Sequence, residues 1–206
     1  LEQANLFLIS LDHEQHWYRY HTLFRDFLRS VLHRTHTDTA IRALHLRAAE
    51  WYEQHDMFRD TILHLLAGTA FERAAALIEQ IARTEWMRGD AFTLQGWLQT
   101  LPEVLLRSRP QLGLFYAWSL IATNQTAKAH QQLEIVKNAL KEYVAYPGSG
   151  AIVVSDITET QAEAMILQAT LARFQNDVQS TIELSEQARH QLPLHNTILH
   201  SINTLN

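Results

Sequence analysis

Histidine is the residue with which this chain could most readily do chemistry, since twelve are spread along its 206 positions. His13 with His16, and His33 with His36, stand three residues apart, a spacing that can bring two imidazole nitrogens to one zinc ion. A zinc site needs further donors, and no carboxylate or third histidine is placed to complete either pair. The chain has no cysteine to supply a thiolate. These histidines therefore read as solvated or hydrogen-bonding groups, and no metal is expected. Arg25, Arg29 and His33 lie on one stretch and could imitate a DNA-reading face, but Asp26 sits among them and the rest of a helix-turn-helix is missing. A solvated or domain-facing surface is the better account. No Gly-x-x-x-x-Gly-Lys-Ser/Thr loop is present to cradle a triphosphate. No paired carboxylates and no nucleophile–base constellation can be read from the order of residues either. The chain is expected to be non-enzymatic, with no catalytic residue and no cofactor of its own.

One histidine remains, and its setting gives it interest. Residues 5–11 (NLFLISL) and 16–20 (HWYRY) are rich in aromatic and branched side chains and are separated by the polar residues 12–15, the pattern of a β-hairpin. His21 follows directly. From there Leu23, Phe24, Phe27, Leu28, Val31 and Leu32 recur at helical spacing, with Arg25, Arg29, His33 and Arg34 mostly between them. A hairpin this small is not stable alone, and feeding a helix it reads as the closing part of a winged-helix-like module.

Composition narrows the class further. A hydrophobic content of 47% is ample for a core. The formal charge of −5 argues against a general nucleic-acid surface, which needs clustered basic residues. All three lysines fall between Lys128 and Lys141. The chain opens on Leu1 with no basic region and apolar run of a signal peptide, and its longest uncharged stretch, 110–127, is short for a membrane span. A cytoplasmic, soluble fragment is expected.

After residues 35–37 nearly everything is helical in pattern. Residues 39–54 place Ile41, Leu44, Ala48 and Trp51 on one stripe, and 58–66 form a short partner with Phe58, Ile62, Leu65 and Leu66. Further helices are predicted over 71–85, 92–100, 111–123, 127–143, 158–174, 177–191 and 195–206. Pro102 stops one, Pro110 opens another and Pro193 ends the last pair. Trp17, Trp51, Trp86, Trp97 and Trp118 read mostly as packing anchors. The stretch 146–158 (YPGSGAIVVSDIT around its centre) is a loop. Residues 176–193 resemble the second half of a tetratricopeptide repeat: a polar turn at Asn176-Asp177, small residues at Thr181 and Ala188, and a closing proline. Asn124, Ala129, Val136 and Ala117 repeat the logic one pair earlier. The fold expected is all-α: a TPR-like helical-repeat (α-solenoid) array over 38–206, incomplete at its C-terminus, preceded over 1–36 by the short β-hairpin and helix of the winged-helix-like module.

Five phrases in one order add a resemblance to this reading. YHTLFRDFLR at 20–29, LHLRAAEWYEQH at 44–55, TILHLLAGTAFERAAALIE at 61–79, RGDAFTLQGWLQTLP at 88–102 and RPQLGLFYAW at 109–118 are similar to those of MalT-type, or large LuxR-type, ATP-dependent transcriptional regulators. The resemblance spans 6–139. It implies a parent with a nucleotide-binding domain, a winged helix, a helical-repeat sensor and a LuxR-type helix-turn-helix, of which this chain holds the end of the second part and most of the first stretch of the third. ATP and ADP belong to that parent, not to this segment. In related signal-transduction ATPases a histidine opening a winged-helix helix, in a motif like His-x-Leu-x-x-x-hydrophobic, reaches the phosphates of bound ADP; His21 matches that pattern. Simple capping of its helix is the other role open to it.

In a stacked array the first helix of each pair lines the concave face. With Asn124 and Asn176 as turn markers, Gln111, Leu114, Trp118 and Ile121, then Glu163, Ile166, Thr170 and Arg173, are the groove-facing positions. Gln111, Trp118, Glu163, Thr170 and Arg173 are the candidate ligand contacts. The function expected is signal sensing and protein interaction, coupling an unknown small-molecule inducer or protein to the other domains of the same chain. No direct nucleic-acid or membrane contact is expected, and the full-length protein could self-associate. The alternative is a generic TPR-type peptide-binding scaffold without an inducer.

Overall fold

The structure is a computed structural model that describes residues 7–10, 18–146, 152, 154, 156–192 and 197–206. His13, His16, Trp17, the glycines at 148 and 150, Pro193 and His195 lie outside these residues, so the expectations that fall on them are not addressed. The chain begins with strands β1 (Leu8–Ser10) and β2 (Tyr18–Tyr20), paired antiparallel with Leu8 opposite Tyr20. Eleven helices follow among the described residues. Helix α1 (Thr22–Thr35) is tied to the hairpin by aromatic contacts: Phe24 lies 4.5 Å from Phe7 and 5.5 Å from Tyr20, centroid to centroid. No residue of its apolar stripe is fully buried: Leu28, Val31 and Leu32 are half-buried, Leu23 and Phe27 are 76% and 56% exposed, and its contact with the next helix is narrow.

The helical array starts at α2 (Asp38–Gln54), whose N-cap is made by Thr37 accepting from the Ala40 backbone N–H at 3.2 Å. It packs on α3 (Phe58–Ala67) through a left-handed turn residue, Asp56. The buried stripe of α2 runs through Ile41 and Ala49, not through Leu44 and Trp51, which are exposed. The periodicity was right and the phase was not: α2 carries apolar residues on two faces, and α3 covers the one that holds His45 and Ala49. Trp51 instead stacks on His55 at 4.0 Å. Phe58 is likewise exposed.

Helices α4 (Phe71–Met87) and α5 (Ala91–Leu98) come next, with Thr69 and Gly89 in left-handed conformation at the turns before each. A short helix, α6 (Glu103–Ser108), follows Pro102 and buries Leu105 and Leu106. Six residues between two prolines carry too little period to be seen as a helix in sequence. Helix α7 (Pro110–Ala122), α8 (Thr126–Ala145), α9 (Ile157–Phe174), α10 (Val178–Gln191) and α11 (Thr197–Leu205) complete the array. The α7–α8 and α9–α10 pairs pack closely, and their turns place Asn124 and Asn176 at φ 60° and 59°. Asparagine tolerates that left-handed geometry where most residues do not. The two asparagines expected to mark repeat turns occupy equivalent positions.

The chain therefore folds as an all-α helical-repeat array behind a short hairpin and helix. Two cores run through it, one gathered from α2 to α7 and the other from α7 to α11, and α7 belongs to both. At Gly113 side chains of α8 lie close against the backbone of α7: a Cβ built there would stand 2.5 Å from Val136 Cγ2 and 3.0 Å from Gln132 Nε2. We expect Gly113→Ala to destabilise the chain by about 1–3 kcal/mol from overpacking, in spite of alanine's better helix propensity. Pairing it with Val136→Ala should recover part of that loss. Urea denaturation of the single and double variants measures both; equal stability of Gly113→Ala and the parent chain would show that the approach is looser than described.

Candidate functional site

The inner side of the second core holds a polar cluster that the helices assemble from three directions. Asp156 caps α9 by accepting from the Glu159 N–H at 3.0 Å, which sets the register of the helix. Glu163 then projects toward α7. Its carboxylate accepts from Gln111 Nε2 at 2.9 Å and from Trp118 Nε1 at 3.2 Å, two residues that lie two turns apart on one face of α7. Thr160, one turn back, reaches Gln111 Oε1 at 3.4 Å. From α4, Arg83 pairs with Glu159 at 3.5 Å. Burial pushes the Glu163 carboxyl above the usual carboxylate range, against the opposing pull of the Gln111 amide, the Arg83 charge and the indole N–H.

Of the candidate ligand contacts, Gln111, Trp118 and Glu163 are thus brought into one network. Thr170 and Arg173 belong to another. Thr170 Oγ1 lies 3.1 Å from Asn206 Oδ1, and Arg173 donates to the Leu205 carbonyl at 2.6 Å, so both hold the end of α11. Leu114 and Ile166 are wholly buried in the second core, not on a groove; they face neighbouring helices because the array closes tightly around α7 and α9. Trp118, Glu163 and Thr170 are also buried. The space left beside Trp118 and Glu163, bounded by Arg83, Trp86, Phe115, Leu199 and Ile202, is about 20 Å3. That is room for about one water and for no larger ligand.

His21 stands at the N-cap of α1. Its backbone N–H donates to the Phe7 carbonyl at 2.7 Å, but its exposed ring makes no capping hydrogen bond. The side chain is therefore not used as a cap. Arg25 pairs with its neighbour Asp26 at 3.2 Å. Among the described residues no group of three or more histidine, aspartate or glutamate side chains is placed to hold a metal ion.

A histidine pair that sequence spacing could not reveal lies between α2 and α3. His45 and His64 meet Nδ1 to Nδ1 at 2.9 Å, and Tyr52 stacks on His64 at 5.2 Å. One ring must donate and the other accept, so at least one is neutral. Desolvation, then the charges of Arg29 and His33, lower the pKa of His45; desolvation and then His45 lower that of His64, against Asp60. The two residues are nineteen positions apart, and only helix pairing joins them.

The fold is that of a helical-repeat region carrying a hairpin-and-helix head, and comparison with known proteins gives that class a family context. Residues 1–40 match the MalT winged helix domain. The chain is 27% identical over 192 residues to the HTH-type transcriptional regulator MalT of Vibrio cholerae, covering 93% of this chain and 20% of that protein. It is 26% identical over 201 residues to MalT of Vibrio parahaemolyticus, covering 98% and 21%. It is also 28% identical over 187 residues to the serine/threonine-protein kinase PknK of Mycobacterium tuberculosis, covering 91% and 16%. No solved structure matches. The chain is thus similar to a segment of MalT-type regulators and spans about a sixth to a fifth of the length of the relatives it matches. No described helix is long and apolar enough to cross a membrane.

Two outcomes follow from the buried groups. Because the folded pKa of Glu163 is raised, its ionisation costs stability as pH rises above the ordinary carboxylate range. Glu163→Gln, which can still accept from Trp118, should match or exceed the parent chain in Tm at neutral pH, whereas Glu163→Leu strands two polar groups and should lose about 1–3 kcal/mol in chemical denaturation. For the histidine pair the folded pKa values are lowered, so its contribution is complete above the ordinary histidine value of about 6.5 and is lost as pH falls through the folded values. A Tm series downward from neutral pH should decline less steeply for His45→Gln than for the parent chain.

Proposed function

We propose that this chain is the joint and sensing region of a MalT-like transcriptional regulator, passing the state of a TPR-like array to a nucleotide-binding domain of the same protein. The observation that carries this reading is the condition of α1. It presents an apolar stripe with no buried residue, yet it is fixed to the hairpin on one side and only narrowly joined to α2 on the other. A helix so placed suits contact with another domain, and a narrow joint suits transmission of a change in tilt. The hairpin and α1, over 1–36, form the head, and 38–206 form the sensor.

Within this reading an inducer or partner protein acts on the inner face of the array. Gln111, Trp118 and Glu163 register how α7 sits on α9, while Thr170 and Arg173 register how α11 sits on α9. A ligand that favours one arrangement shifts the population between a closed, ADP-held form and an open, self-associating one. His21 is the contact with nucleotide: its uncommitted ring can donate to a phosphate oxygen, a charge-assisted bond sensitive to loss of the phosphate. The chain itself performs no reaction in this scheme.

The test is His21→Ala in the full-length regulator. ADP should dissociate at least tenfold faster and basal reporter transcription should rise, with the secondary structure of the protein unchanged by circular dichroism. Unaltered ADP retention together with unaltered basal transcription would remove His21 from the mechanism.

A further inference from the structure

A cavity of about 510 Å3 opens on the side of the array away from the Glu163 cluster, between α8, α9 and α10. Each helix presents one face to it. On α8 this is Lys137, Leu140, Lys141 and Val144, and on α9 it is Gln161, Ala164, Met165 and Gln168, both at the i, i+3, i+4, i+7 spacing that lines up side chains along a helix. Leu184 and Gln187 of α10 close the third side. The floor is apolar, with Leu140 and Ala164 buried and Met165 half-buried above them. Its size falls within the roughly 300–1,000 Å3 of small-molecule sites, which also combine apolar walls with a few placed polar groups.

The rim has one sign of charge. Two of the three lysines in a chain of formal charge −5 line this cavity, and among the described residues no carboxylate does. Lys137 pairs with Glu134 at 2.9 Å, an exposed i,i+3 pair that gives little stability and can be exchanged for another anion. Lys141 has no hydrogen bond or ion pair among the described residues, and neither do the amides of Gln161, Gln168 and Gln187. A ring of unspent donors around a closed apolar floor fits a molecule with an apolar body and one anionic end. A partner helix would need an apolar strip continuing along a groove, and here polar groups surround the floor.

We propose that this cavity binds a small amphipathic anion, an acyl or aryl carboxylate, whose apolar body rests on Leu140, Ala164 and Met165 while its carboxylate lies between Lys137 and Lys141. The site bridges the last helix of one repeat pair and both helices of the next, so its occupant would bear on their relative tilt. The proposal gives the sensing reading a ligand class and rests on that reading only for this consequence. Binding is measured on the chain itself, so failure of the site and failure of the His21 mechanism are separate results.

Octanoate serves as the probe, titrated into the 206-residue chain labelled with [ε-13C]methionine. The chain has three methionines, and among them only Met165 lines this cavity. The Met165 methyl resonance should shift with saturable dependence on octanoate, with those of Met57 and Met87 unmoved, and octylammonium should bind at least tenfold more weakly. Lys137→Gln/Lys141→Gln should weaken octanoate at least tenfold while leaving Tm within a few degrees of the parent chain. Absence of a saturable Met165 shift, equal binding of octylammonium, or unchanged affinity in the double variant overturns the proposal.

Discussion

Helix α7 is covered on nearly every side, and the rest of the array is arranged to make that possible. It contributes Leu112 and Phe115 to the core on one side and Leu114, Ala117, Trp118 and Leu120 to the core on the other. A helix without an aqueous face can carry no unpaired charge, which accounts for its uncharged sequence. Its close neighbours must also fit its surface closely, and Gly113 lets the backbone of α7 approach Val136 of α8. Among the polar groups that α7 brings inside, Ser119 donates to its own helix at the Tyr116 carbonyl, while the Gln111 amide and the Trp118 indole N–H look outward for a partner. Glu163 of the next pair satisfies both, so the same constraint that closes the core also locks α9 to α7.

The contrast with the surface ion pairs is instructive. Arg59 pairs with Glu85 and Asp90, Arg73 with Glu53, Arg107 with Glu142, and Arg109 with Glu72 and Glu79. These bridges tie together helices that are mostly not consecutive in the chain, α2 with α4, α4 with the start of α7, and α6 with α8, but most involve exposed side chains whose attraction water and salt screen. Glu85 is the exception, a buried carboxylate near the end of α4 held by Arg59 of α3 and by Arg88. Buried carboxylates therefore sit where one pair of helices meets the next, and they define relative orientation more than they add stability. An array held this way can tilt as units without unravelling, which suits the transmission proposed for it.

The two ends of the array differ in how firmly they are held. The α7–α10 region is packed through continuous core, while the hairpin and α1 are gathered around Phe7, Tyr20 and Phe24 and expose much of their remaining apolar surface. The inner polar cluster and the lysine-rimmed cavity lie on opposite sides of α9, so that helix is the element through which either could influence the other.

Residue order alone was enough for the hairpin, most of the helices and the turns at Asn124 and Asn176, because these depend on local period and on the turn preferences of asparagine and proline, while the left-handed backbone at both asparagines is seen only in the structure. The order of five phrases was enough for the resemblance to MalT-type regulators. Phase was a different matter. Leu44 and Trp51 recur with helical period yet face solvent, since period says that a stripe exists and not which stripe a partner will cover. The same limit put Leu114 and Ile166 on a groove when they are core. Glu163 was recognisable as a polar position on the inward side of its helix, but its partners lie about fifty positions earlier in the chain. The meeting of His45 with His64, and of Lys137 and Lys141 with the glutamines of α9 and α10, was likewise decided only by tertiary structure. Local spacing determines which side chains share a helix face; which faces meet depends on how several helices jointly exclude water, and that is a property of the whole array.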